Sequence, residues 1–178
     1  VSYALMQFFF SPIVGALSDR FGRRPVLLFS LSAFAVDMLL LAIVDRLWLF
    51  ILVRGAAGIF AATFSTTSAY IADVTPPERR AQRFALIGAA FGAGFVFGPV
   101  IGGTLGDLDT RLPFFAGAVL AGANATFGAF LVRESLAEER RRPFRWKRAN
   151  ALGTVMSLKA VPGVGRLLPV YFISTLST

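Results

Sequence analysis

The sequence contains neither cysteine nor histidine. Without cysteine there are no disulfides and no thiol nucleophile. Without histidine there is no Ser-His-Asp triad, and without both there is no haem or zinc site built on these residues. Lysine is nearly absent too. Lys147 and Lys159 are the only two, and neither follows a Gly-x-x-x-x-Gly run, so the segment has no P-loop and no ATP engine. Charged residues make up 16% of the chain, where a soluble domain carries about 25%. Apolar residues fill the difference: 56% are hydrophobic, and 19 of the 178 are Phe. One soluble core of this size cannot hide that surplus, and a disordered chain does not carry it. Nothing in the sequence implies a cofactor or a metal.

The apolar residues fall into stretches separated by short charged loops. Val1–Leu17, Phe84–Leu105 and Leu112–Val132 carry no charge; Pro25–Val44 carries only Asp37, and Leu47–Ala72 only Arg54. A sixth stretch, Leu167–Thr178, runs to the end of the sequence. Crossing about 30 Å of hydrocarbon takes about 20 apolar residues, which the four middle stretches supply. A soluble bundle needs a polar face on every helix; Phe84–Leu105 and Leu112–Val132 have none. The expected fold is therefore an all-α integral membrane protein solvated by the lipid bilayer. The first and sixth stretches read as cut short, with one further span expected upstream.

A net charge of +8 raises nucleic acid as a partner, but the positions of the charges exclude it. Helical spans force successive loops to opposite faces. The first loop holds Arg20, Arg23 and Arg24, the third Arg79, Arg80 and Arg83, and the fifth nine further basic residues; the second holds only Arg46 and the fourth only Arg111. This bias predicts odd-numbered loops in the cytoplasm. The fifth loop, 133–166, changes composition. Arg133–Arg148 reads as a solvated linker, with contact to anionic lipid as the alternative; Ala149–Leu168 reads as a surface-lying or disordered stretch. The expected organisation is a membrane bundle over 1–132, a central cytoplasmic loop over 133–166, and the start of a second bundle over 167–178.

Two loops echo each other. Gly15-Ala-Leu-Ser-Asp-Arg-Phe-Gly-Arg-Arg-Pro25 and Gly103-Thr-Leu-Gly-Asp-Leu-Asp-Thr-Arg-Leu-Pro113 share Gly, Leu, Asp, Arg and Pro at an offset of 88 residues. They lie on opposite faces of the predicted topology, as an inverted repeat of three spans requires.

The first of these loops resembles the signature between the second and third spans of the major facilitator superfamily, and meets every fixed position of it. The resemblance implies a conformational latch that breaks and re-forms as two halves rock. In it Gly15 admits a neighbouring helix, Asp19 sits against a helix N-terminus, Gly22 permits the turn, and Arg23 bonds to an acid on an adjacent helix. Asp73, at the inner end of the Leu47 span, is the expected partner. Phe91-Gly-Ala-Gly94-Phe-Val-Phe-Gly98-Pro99-Val-Ile-Gly102-Gly103 resembles the fifth-span motif of the family's drug–proton antiporter branch. Small residues four apart allow close helix contact, and Pro99 removes a backbone donor and bends the helix. Arg54 and Gly58 partly match a fourth-span motif.

Counting 1.5 Å per residue, Asp37 and Arg54 both lie about 10 Å below the outer surface. An Arg at membrane depth is costly unless it faces a partner or a cavity. The two are expected to form one buried polar network coupled to protons or substrate, since a buried acid beside a cation can take up or release a proton as its surroundings change. Gln7 and Asn124 are expected to line a cavity. Span hydroxyls such as Thr126 are expected to bond back to their own helix.

The order of these motifs is similar to that of the tetracycline/proton antiporter subfamily. The resemblance implies the N-terminal six-helix bundle, less its first span, of a twelve-span carrier that is monomeric and not an enzyme. It implies efflux of small amphipathic drugs in exchange for protons by alternating access across the bacterial inner membrane. Ile59-Phe60 and Leu112 depart from the tetracycline members and count against tetracycline itself as substrate. A metabolite or sugar symporter on the same fold is the alternative within transport; a non-transporting membrane scaffold is the alternative outside it.

Overall fold

A computed structural model of the chain describes residues 2–60 and 63–144. The start of the second bundle and most of the central loop lie outside the described residues. Helix α1 spans Ser2–Phe21, α2 Arg23–Ile43, α3 Leu47–Phe60, α4 Thr63–Val74, α5 Pro77–Leu108 and α6 Leu112–Leu131, followed by a single 3-10 turn at Glu138–Arg140. No strand occurs among the described residues. Helices are what lipid demands, because every backbone N–H and C=O must find its partner within the segment. Among the described residues four segments are long and apolar enough to span: Arg23–Ile43, Leu47–Val74 (containing α3 and α4), Pro77–Leu108 and Leu112–Leu131.

Local chemistry sets the boundaries. Gly22 alone separates α1 from α2. Its φ is +109°, a conformation that costs glycine no Cβ clash, and its N–H donates to the Ser18 carbonyl at 3.1 Å. Pro77 opens α5 and Pro113 sits in the first turn of α6. Their missing N–H groups cost nothing there, because first-turn donors have no helical acceptor.

The most extensive helix contact is α2 on α6, followed by α1 on α3. Few side chains are buried. Leu27, Met38, Leu41 and Ala42 of α2 and Ala121 of α6 are among them. Large apolar side chains point outward instead, with Phe95 79% and Phe130 85% exposed. A soluble protein does not present apolar surface on this scale; lipid is the solvent that suits it.

Close approach between helices depends on particular glycines. A Cβ on Gly58 would strike the Tyr3 carbonyl and lie 2.8 Å from Met6 Cβ, so α1 rides directly on α3 at this point. Gly58→Val should therefore push the two helices apart, at about 1–3 kcal/mol for overpacking. Thermal unfolding of the purified full-length protein in detergent should show a clear drop in Tm. Gly122→Ala, where nothing lies within 4 Å, should leave Tm unchanged or slightly raised.

Candidate functional site

The first, third and fifth loops meet on one face. Arg23 is the hub. Its Nη1 lies 2.6 Å from Asp19 Oδ1 and donates to Ser18 Oγ at 2.7 Å, while its Nε donates to Asp73 Oδ2 at 3.2 Å. The expected Arg23–Asp73 pairing is thus present. It joins the start of α2 to the end of α4. Ser18 holds its place by donating to the Gly15 carbonyl at 2.8 Å. Gly15 itself has nothing within 4 Å of an added Cβ among the described residues. Asp19 meets the guanidinium of Arg23, the first residue of α2.

The sequence reading missed Glu134. Its carboxylate accepts from the backbone N–H groups of Arg23 at 2.8 Å and Arg24 at 3.2 Å, which are the first donors of α2. An anion at this position satisfies orphan N–H groups and complements the helix dipole. Gly22 makes room for it: a Cβ there would collide with the Glu134 carboxylate. The residues that follow are also held. Ser135 Oγ donates to Asp73 at 3.4 Å, Leu136 is buried, and the Arg142 N–H donates to the Asp19 carbonyl at 3.0 Å. The opening of the central loop is therefore tied to the bundle at Glu134–Leu136 and Arg142, while residues 137–140 stay exposed. It lies across the Arg23 cluster and touches both of its acids, Asp19 through the main-chain carbonyl and Asp73 through the side chain. An acid directly after a span, amid arginines, was the available signal.

Glu134→Ala should lower the Tm of the purified full-length protein, because charge-assisted bonds to α2 are lost at about 1.5–3 kcal/mol each. Glu134→Gln, which can still accept, should fall between. Thermal unfolding in detergent would show this order.

Within the bundle, Asp37 on α2 is 4% exposed. Its Oδ2 accepts from Arg54 Nη1 on α3 at 3.3 Å, as the matched depths predicted. Its other oxygen, Oδ1, has no hydrogen-bond partner among the described residues. The Arg54 guanidinium also stands 5.7 Å from the centre of the Tyr3 ring on α1, a favourable cation–π distance. Three helices thus converge on one charge pair, its acid buried and its guanidinium half-buried. Asp37 borders a groove of about 360 Å³ between α2 and α3.

A larger cavity of about 720 Å³ opens beside this cluster. Tyr3, Gln7, Phe34, Phe64, Phe91 and Asn124 contribute to its walls. Gln7 and Asn124 are thus where the sequence suggested, and the aromatic rings are an addition to that reading. Phe64 and Phe91 meet edge to face at 5.6 Å. The lining combines apolar and aromatic surface with a few polar groups, the usual composition of small-molecule pockets. Thr126 bonds back to the Gly122 carbonyl at 2.8 Å, as expected of a span hydroxyl.

The glycine motif of α5 behaves differently from expectation. Gly94, Gly98, Gly102 and Gly103 have nothing within 4 Å of an added Cβ, and none of the residues of α5 is buried. Pro99 lies inside one continuous helix. Among the described residues no helix packs closely on this motif; Gly94 and Pro99 line an open groove of about 660 Å³.

An ion pair between spanning helices, a charged cluster where three loops meet and an aromatic cavity make up the candidate site. The sequence model of the Major Facilitator Superfamily matches residues 1–178, and the chain belongs to that family. It is 46% identical over 98% of its length to the tetracycline resistance protein, class C, of Escherichia coli. It is 33% identical over 98% of its length to multidrug resistance protein 1 of Bacillus subtilis (strain 168). The chain spans 44% and 42% of these two curated relatives. The crystal structure of the human organic anion transporter MFSD10 (TETRAN) superposes with a TM-score of 0.73 at 32% identity, over 79% of this chain and 32% of that one.

Proposed function

We propose that this chain forms most of one half of a proton-coupled efflux carrier that exports small amphipathic drugs by alternating access. The observation that carries the reading is the Asp37–Arg54 pair, held between helices and bordered by cavities on the scale of a drug molecule. A buried acid with one oxygen bonded and one unbonded can exchange a proton when its neighbourhood changes. Asp37 is then the coupling acid, and Arg54 holds its charged form. The aromatic cavity takes the substrate, with Gln7 and Asn124 as its polar contacts. The inner latch of Asp19, Arg23 and Asp73 faces the cytoplasm and re-forms once per cycle; the α5 glycine motif serves the helix movement. Its relatives' names make tetracycline the first compound to test, although Ile59-Phe60 and Leu112 depart from that subfamily. A sugar symporter fits less well, because apolar and aromatic side chains make up most of the cavity wall.

Energised inverted membrane vesicles carrying the full-length protein provide the test. They should accumulate labelled tetracycline or another amphipathic drug against its gradient, and a protonophore should abolish the uptake. Uptake that persists without a proton gradient would contradict the coupling.

A further inference from the structure

Helices α2 and α6 run antiparallel, and the acid that follows each one grips the start of the other. Glu134, three residues past α6, holds the first N–H groups of α2. Asp45, two residues past α2, pairs through Oδ1 with Nη2 of Arg111, the N-cap residue of α6. The Arg111 N–H is fixed in turn by Asp109 Oδ1 at 2.7 Å. At the inner end Arg24 adds a second tie, donating to the Ala129 carbonyl in the last turn of α6 at 2.7 Å. Between the two clasps the helices touch through small residues. A Cβ on Gly117 would lie 3.3 Å from Met38 Sδ, and one on Gly128 would lie 3.2 Å from Leu28 Cδ2.

Met38 and Leu28 of α2, seated against these two glycines, set part of the register of the seam. The end clasps add to that lock. What they hold in register is Asp37, next to Met38 on α2, and Asn124, between the two glycines on α6. The inner clasp belongs to the latch. The outer one stands apart, about 12 Å beyond Asp37 along α2 at 1.5 Å per residue. Its side chains are 72% exposed at Asp45 and 52% at Arg111, so it adds little to folding. Arg111 is also the residue that echoes Arg23 at the offset of 88. Both arginines stand at the start of a helix, and both pair with an acid carried by another part of the bundle.

We propose that Asp45 and Arg111 are positioning residues for transport: their ion pair helps to hold the register of α2 on α6 and thereby places Asp37 of α2 relative to Asn124 in the cavity wall on α6. The proposal rests on the carrier reading above.

The test uses the full-length carrier in energised inverted vesicles. Asp45→Lys and Arg111→Glu should each lower the maximal rate of tetracycline uptake about two- to five-fold, the scale of an exposed pair, and shift its pH profile. Membrane abundance should stay normal, and the double reversal should restore both rate and profile. Wild-type rate and profile in the single reversals would overturn the proposal, as would a double no better than either. A merely structural role would lower abundance and leave the profile per molecule unmoved, which also overturns it. As a second measurement, Asp45→Cys and Arg111→Cys are combined in a carrier with no other cysteine and joined with a short bifunctional thiol reagent. The joined carrier should retain at least half its rate, because the clasp stays closed through the cycle; arrest, or failure to join, contradicts it. If the wild-type carrier takes up no tetracycline, the transport reading fails for that drug, while the cross-link still judges the clasp.

Discussion

Asp37→Asn is expected to leave the carrier in the membrane at normal abundance and to reduce energised drug uptake to the level of vesicles without it. The substitution removes the one buried acid among the described residues and keeps its shape. Arg54 tolerates the loss, because its side chain is about one-third exposed and keeps the Tyr3 ring. The reciprocal change behaves differently. Arg54→Ala leaves an anion inside the bundle with neither oxygen paired, and breaking a buried pair this way costs about 3–5 kcal/mol. That is a large share of the roughly 5–15 kcal/mol that holds a domain together, so abundance should fall together with transport. Combining Asp37→Asn with Arg54→Gln should recover abundance without activity. Immunoblots of membranes beside uptake rates would separate the two effects. Normal uptake by Asp37→Asn would remove this residue from the mechanism.

The second large effect is expected at Arg23. Arg23→Ala disconnects three things at once: the ion pair to Asp19, the ion pair to Asp73 and the bond to Ser18. Uptake should fall at least about ten-fold, the equivalent of one charge-assisted bond. Arg23→Lys should recover only part, because an ammonium cannot present the guanidinium's planar fork of donors to two carboxylates together. The binding constant for drug should change far less than the rate, since the cavity lies away from this face. Equal losses in affinity and rate would place Arg23 in the substrate path instead.

Much of this site was legible in the sequence for one physical reason. In a chain solvated by lipid, an ionisable residue within a span is too costly to be incidental. Asp37 and Arg54 therefore stood out, and equal depth from the same surface was enough to pair them. Arg23 and Asp73 could be matched in the same way, by the ends of the spans that carry them. The small residues were harder. Sequence shows where glycines recur, but not what lies opposite them. The regular series on α5 drew the eye, yet among the described residues nothing lies against its members, and the tight contacts between helices fall at Gly58, Gly117 and Gly128. Glu134 escaped for a related reason. Its value comes from the unpaired N–H groups of a helix more than 100 residues earlier in the chain, and no local pattern records that distance. The aromatic lining was equally hidden, because phenylalanines facing lipid and phenylalanines facing a cavity look alike in a span.

The central claim is that these helices exchange a proton for a drug molecule through Asp37. The most direct measurement is the luminal pH of inverted vesicles, held acid inside by respiration and containing the full-length protein. Adding drug to the outside should make the lumen more alkaline within seconds in the wild type and not at all in Asp37→Asn. A lumen that stays acid while drug accumulates, or an equal response from both proteins, would contradict the account.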